Sequence, residues 1–167
     1  LNVVTGILTL SQSPDFENPN DADANGVYQV TINATDGEAN ATQNAAIAIS
    51  NANDPPGDIH LSSTTVAENQ PVGIIVGELN ATDPDATATV TFSLVDGNGS
   101  QHNNLFTRDA NGTLKTATTL DHETNATLSI RVKATDEHNA SLEKAFVINV
   151  TNVVEDLDGD GIEDHFD

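Results

Sequence analysis

Four short runs of this chain alternate apolar and polar residues with a period of two, and that alternation limits the fold more than any other feature. In Tyr28-Gln29-Val30-Thr31-Ile32-Asn33-Ala34 every second residue is apolar, and Leu128-Ser129-Ile130-Arg131-Val132-Lys133-Ala134 repeats the pattern. Val90-Thr91-Phe92-Ser93-Leu94 and Phe146-Val147-Ile148-Asn149-Val150 follow it too, with Val147 blurring the second. Successive side chains of a strand point to opposite faces, so each run presents one face to a core and one to water. No segment sustains a helical period. Gly, Asn and Asp clusters, such as Asp96-Gly97-Asn98-Gly99 and Asn111-Gly112, separate the runs as turns do. The expected class is all-β, a sandwich.

The charge narrows the partners. Twenty-six acidic residues face 5 basic ones, a formal net charge of −21. Such a chain repels phosphate backbones and anionic membrane surfaces, and it favours cations. Disorder is a common fate of acidic, aromatic-poor chains, but the alternation argues for strands here. The chain has no Cys, which excludes disulfides, thiolate metal sites and thiol nucleophiles. No apolar run approaches the roughly 18 residues of a membrane span, so direct membrane insertion is not expected in this segment. Leu1 stands where an initiator Met would, which leads us to expect a piece of something longer.

The chain repeats itself. Thr5-Gly6-Ile7-Leu8-Thr9 is matched by Asn111-Gly112-Thr113-Leu114-Lys115, and Pro14-Asp15-Phe16-Glu17 by Leu120-Asp121-His122-Glu123. Both long alternating runs end in Ala-Thr-Asp, at Asp36 and Asp136. Ile47-Ala48-Ile49-Ser50-Asn51 is matched by Ile148-Asn149-Val150-Thr151-Asn152. The second copy has the length of one seven-stranded sandwich. The first begins only at the level of Thr107. A three-strand remnant cannot close a two-sheet core, so residues 1–50 are expected to be poorly packed unless another chain covers them.

The motifs of the second copy resemble the cadherin repeat. Val66-Ala67-Glu68-Asn69 with Pro71 and Gly73 looks like that family's opening Glu-Asn strand, and Ala81-Thr82-Asp83-Pro84-Asp85 like its Asp-x-Asp loop. Phe106 with Asp109 and Gly112 resembles the connection between the fourth and fifth strands. Leu120-Asp121-His122-Glu123 resembles the Leu-Asp-x-Glu loop, and Ala134-Thr135-Asp136 the end of the sixth strand. Asn51-Ala52-Asn53-Asp54-Pro55-Pro56 resembles the inter-repeat linker, with Asn51 and Pro55 as departures. The resemblance implies a Greek-key, immunoglobulin-like β-sandwich strung in tandem, with calcium (Ca2+) held between repeats. The implied organisation is a truncated repeat and linker at 1–55, a complete repeat at 56–155, and a calcium loop at 156–167.

Calcium takes six to eight oxygens from carboxylates, amides and backbone carbonyls. The ligands implied between the two copies are Asp15, Glu17, Asn51, Asn53, Asp54, Asp83, Asp85 and Asp136. A second site at the far end would use Glu68, Asp121, Glu123, Glu155 and Asp156. From Asp156 the chain places carboxylates at loop positions 1, 3, 5, 9 and 12 (Asp156, Asp158, Asp160, Asp164, Asp167) with Gly161 at 6. That register arranges side chains round one ion, and it resembles a thrombospondin type 3 repeat more than an EF-hand.

The bland reading of an acidic loop residue is a turn former, and Asp21, Asp23, Asp96 and Asp109 are taken as such. Asp121 and Glu123 do not suit a glycosidase, because residues two apart on one loop point the same way rather than flanking a bond. The five His residues show no ligand spacing, and no nucleophile or phosphate-loop motif is present, so no enzyme is expected. Eight Asn-x-Ser/Thr sequons, Asn33, Asn80 and Asn125 among them, fit an Asn/Thr/Ala-rich bacterial surface protein better than a glycoprotein. The expected function is calcium-dependent rigidification of tandem repeats on a secreted or cell-surface protein. The expected partners are calcium, neighbouring repeats, and another adhesive repeat or a surface glycan, with no nucleic acid. The alternative is a carbohydrate-binding or spacer module of a large polysaccharide-degrading enzyme or adhesin.

Overall fold

The computed structural model describes residues 6–154. The chain divides into two units, 1–53 and 54–167.

The first unit holds one antiparallel hairpin, β1 (Val27–Thr35) and β2 (Asn40–Ala48), in register from Val27 opposite Ala48 to Thr35 opposite Asn40. Asp36 closes its turn by accepting the amides of Glu38 and Ala39 on Oδ1, at 3.0 and 2.8 Å. The alternation works as read: Tyr28, Val30 and Ile32 share the half-buried face, while Gln29, Thr31 and Asn33 face out. The expected third strand at the level of Thr9 is absent, since residues 6–10 pair with nothing regular. Their counterpart in the second unit lies between two neighbouring strands, and the described part of the first unit supplies neither. Ile7, Leu8, Leu10 and Phe16 are exposed as a result.

The second unit is the sandwich. One sheet runs β4 (Thr65–Ala67), β10 (Ser141–Thr151), β9 (Thr127–Thr135), β6 (Thr91–Leu94). The other runs β3 (Asp58–Leu61), β5 (Ile75–Thr82), β8 (Thr113–Thr116), β7 (Phe106–Arg108), preceded by a 3-10 turn at Asn103–Leu105. In β9 the inward residues Leu128, Ile130, Val132 and Ala134 are all buried, and they meet Ile59, Leu114 and Ile148 in one core. At about 25 cal/mol per Å2 of apolar surface removed from water, this shared interior is the main stabilising term of the unit.

The opening strand is split. β3 pairs antiparallel with β5 in one sheet, and β4 pairs parallel with β10 in the other. Residues 62–64 make the crossing, anchored by the Ser62 amide on the Glu78 carbonyl (3.0 Å) and by the Glu78 amide on Ser62 Oγ (2.8 Å). Gly77, at an irregularity in β5, lets the crossing come this close: a Cβ there would lie 2.9 Å from both the nitrogen and oxygen of Ser63. Lys144 ties the two sheets together further along. Its Nζ donates to Asp58 Oδ1 and to the Ile59 carbonyl, both at 2.8 Å, and sits 5.6 Å from the Phe146 ring centre.

Candidate metal centre

The two ends of the sandwich gather acidic side chains in different ways. At the end where β4 finishes, Glu68 is fully buried. The split opening strand carries it there, and its amide donates to the Thr151 carbonyl at 3.1 Å. Its Oε2 accepts the His122 amide at 2.6 Å and its Oε1 the Val153 amide at 2.7 Å. Burial pushes the Glu68 carboxyl up, yet these amide donors outweigh it and hold the group below the ordinary glutamate value.

Asp121 and Glu123 lie on the loop between β8 and β9. Asp121 Oδ1 accepts the amides of Glu123 (2.9 Å) and Thr124 (3.3 Å), and its Oδ2 accepts the Thr124 hydroxyl in a short bond. That hydroxyl is the main reason the Asp121 carboxyl also sits low, with burial opposing and the amides adding to it. Glu123 Oε1 receives Asn152 Nδ2 at 2.8 Å and faces His122 Nδ1 at 3.3 Å. One carboxylate oxygen from each of Glu68, Asp121 and Glu123 falls within 4.8 Å of the others, the one such trio of metal-binding side chains among the described residues. Three carboxyl groups this close favour a cation at their centre, and an all-oxygen set suits a hard one.

At the opposite end Asp83 follows β5 and Asp136 follows β9. The two loops meet there, since the Thr89 amide donates to Glu137 Oε2 at 2.8 Å. Asp136 is buried, and its Oδ1 accepts the amides of His138 (2.8 Å) and Ala140 (2.9 Å). Asp83 Oδ1 accepts the Asp85 amide at 2.9 Å, and Asp85 Oδ2 accepts the Asp54 amide at 2.8 Å. Asp83 Oδ2 is buried with no hydrogen-bond partner. A carboxylate oxygen left so is costly unless an ion or a water meets it, so the residues fit a cation here too.

In the first unit Asp15 Oδ1 caps the amides of Glu17 and Asn18, both at 3.0 Å, in an exposed loop. Asn51 and Asn53 lie in the segment after β2. Glu155, Asp156, Asp158, Asp160, Asp164 and Asp167 lie outside the described residues. Sequence reasoning missed the supporting groups. Asn152 and the backbone amides of His122 and Val153 orient the trio, and only the folded chain shows it.

The family model for the cadherin domain matches residues 62–151. The chain belongs to the cadherin family. Cadherin domains are extracellular adhesion modules and are not enzymes as a class. Among curated relatives, Cadherin-related hmr-1 of Caenorhabditis elegans is 32% identical over 135 residues, covering 80% of this chain and 4% of the relative. Human Protocadherin-15 is 34% identical over 142 residues, 81% of this chain and 7% of the relative. This cadherin chain therefore spans only a small part of the proteins it matches. Two solved structures share the fold. Human Protocadherin-24 EC1-2 has a TM-score of 0.57 at 22% identity, covering 86% of this chain and 71% of that one. Mouse clustered PcdhgC3 EC1-3 has 0.55 at 24%, covering 86% and 47%.

Proposed function

We propose that this cadherin segment is a calcium-dependent link in a tandem adhesive array. The observation that carries the reading is the trio of Glu68, Asp121 and Glu123, whose oxygens share one small space. Glu155 and Asp156 would complete that site as the chain leaves the sandwich. Asp83, with its orphaned buried oxygen, would act with Asp54, Asp85 and Asp136 at the other end. Asp15, Glu17, Asn51 and Asn53 would supply the share of residues 1–55, read as the end of a preceding repeat. Both quoted curated alignments are longer than the second unit's described stretch, which supports that reading. Bound calcium would supply positive charge that neutralises the carboxylates and joins oxygens from separate segments.

The chain's own part is preparation. Backbone amides lower the Glu68 carboxyl against the cost of burial, and the Thr124 hydroxyl, with two amides, lowers that of Asp121, which favours the charged forms that a cation meets. Without a cation the remaining repulsion favours swinging of one repeat against the next; with one, the segments lock. The Asp156–Asp167 stretch is assigned as a thrombospondin type 3-like calcium loop, and the Asn/Thr/Ala-rich composition as that of a bacterial surface protein. No observation favours the carbohydrate-module alternative, since the relatives are cadherins and protocadherins.

Calorimetric titration with calcium, alongside melts in calcium and in chelator, tests the proposal. Saturable binding with Kd on the order of 0.1–1 mM and a raised Tm are expected. A folded chain that binds no calcium would reduce the carboxylates to turn formers and leave a plain spacer.

A further inference from the structure

The chain contains three Asn-Gly pairs: Asn25-Gly26, Asn98-Gly99 and Asn111-Gly112. In such a pair the glycine nitrogen can attack the asparagine Cγ. The Cγ–Nδ2 bond breaks and ammonia leaves, carrying the proton released by the glycine amide. Water then opens the five-membered imide at either carbonyl, giving aspartate or isoaspartate. The sum is hydrolysis of one amide, with no redox partner. The step needs a side chain that can turn its Cγ toward the glycine nitrogen and a glycine N–H free to lose its proton.

Two of the pairs are locked. Gly26 is buried and its N–H donates to Asp21 Oδ1 at 3.1 Å. The Asn25 side chain is held at both ends, its Nδ2 on Asp23 Oδ2 (2.7 Å) and its Oδ1 on the Val27 amide (2.8 Å). Gly112 donates to the Asp109 carbonyl at 3.1 Å, and its own carbonyl accepts the Leu79 amide at 3.0 Å.

Asn98-Gly99 differs in three respects. Asn98 is exposed. Among the described residues no hydrogen bond is made by the Gly99 N–H. Arg131 Nη1 donates to the Asn98 carbonyl oxygen at 2.9 Å, and that oxygen belongs to the same peptide group as the Gly99 nitrogen. When the nitrogen loses its proton, negative charge moves onto this oxygen by amide resonance. A guanidinium, which stays charged at any ordinary pH, is already hydrogen-bonded to it. We propose that Asn98-Gly99 is a self-modifying site, in which Arg131 promotes imide formation by stabilising the deprotonated peptide group. The product carries a new carboxylate, or an isoaspartate with one extra backbone carbon, on the loop that Arg131 pins to β9.

Peptide mapping by mass spectrometry on the intact chain, aged in mildly alkaline buffer, tests the assignment. The expected result is a product one mass unit heavier at Asn98, accumulating several-fold faster than at Asn25 or Asn111. In concentrated urea the three rates should converge. Arg131→Gln should slow Asn98 several-fold and leave Asn25 unchanged. Folding of the variant is checked by its melt, and the ranking of the three sites in the unmodified chain needs no variant. Faster reaction at Asn25 or Asn111 in the folded chain overturns the site. An unchanged Asn98 rate in a folded Arg131→Gln chain overturns the role of Arg131.

Discussion

A buried carboxylate with two backbone amides aimed at it is a poor place for a neutral side chain, and Glu68 is in that position. Glu68→Gln leaves only one carbonyl oxygen and turns an amide donor toward an N–H. A loss of about 1–3 kcal/mol in chelator is expected from the broken pairing, read by urea unfolding. The calcium-induced rise in Tm should shrink in the same variant. Asp83→Asn should do the opposite in chelator, leaving the fold unharmed or firmer because the buried charge goes, while weakening calcium binding by calorimetry. Asp58 gives the pH dependence. Chiefly through the Lys144 ammonium hydrogen-bonded to it, and also through the Ile59 amide, its carboxyl is held below the ordinary aspartate value. A carboxyl lowered by folding stabilises the fold above its unfolded pKa, and the contribution is lost as pH falls through the folded value. Acid melts in chelator should therefore drop less steeply for Asp58→Asn than for the unaltered chain.

Strands show where reading a sequence succeeds and where it stops. β9 was legible residue by residue, because Leu128, Ile130, Val132 and Ala134 mark its buried face without reference to anything else. Ile130→Ala should cost about 2–5 kcal/mol as a core cavity, whereas Ile32→Ala in the half-buried hairpin face should cost well under half of that; urea midpoints compare them. The far edge of β9 was not legible. Beyond the end of β6, side chains take over the pairing: His102 Nδ1 accepts the Ser129 amide and Asn103 Oδ1 the Arg131 amide, both at 2.9 Å. Nothing local in His102-Asn103 announces that role, since it depends on a strand far along the chain. Removing it by Asn103→Ala should cost about 1–3 kcal/mol and raise amide exchange at Arg131. The split between β3 and β4 was hidden for the same reason, because the space at Gly77 that permits it comes from another strand. Of the acidic residues, the order of motifs pointed to Glu68, Asp121 and Glu123 as a group. The isolation of Asp83 Oδ2 could not be read, because burial of one atom depends on every loop around it.

At the scale of the whole chain the two units should differ in stability. Amide exchange at Ile130 should be slow, limited by global opening, while Ile32 and Ile49 exchange through local fraying of the hairpin; equal protection at all three would contradict the exposed packing of residues 6–53. The parallel pairing of β4 with β10 has a consequence of another kind. The chain enters the sandwich through β3, crosses at once into β4, and leaves through β10, and Thr65, Val66 and Ala67 lie beside Asn149, Val150 and Thr151. Pulling the two termini apart drags these neighbours along their length in opposite directions. The load falls on all the cross-strand bonds at once, in shear, rather than peeling them one by one. A domain loaded in this way should give way abruptly, in a single high-force event in an optical trap, with the short β4 as its mechanical clasp.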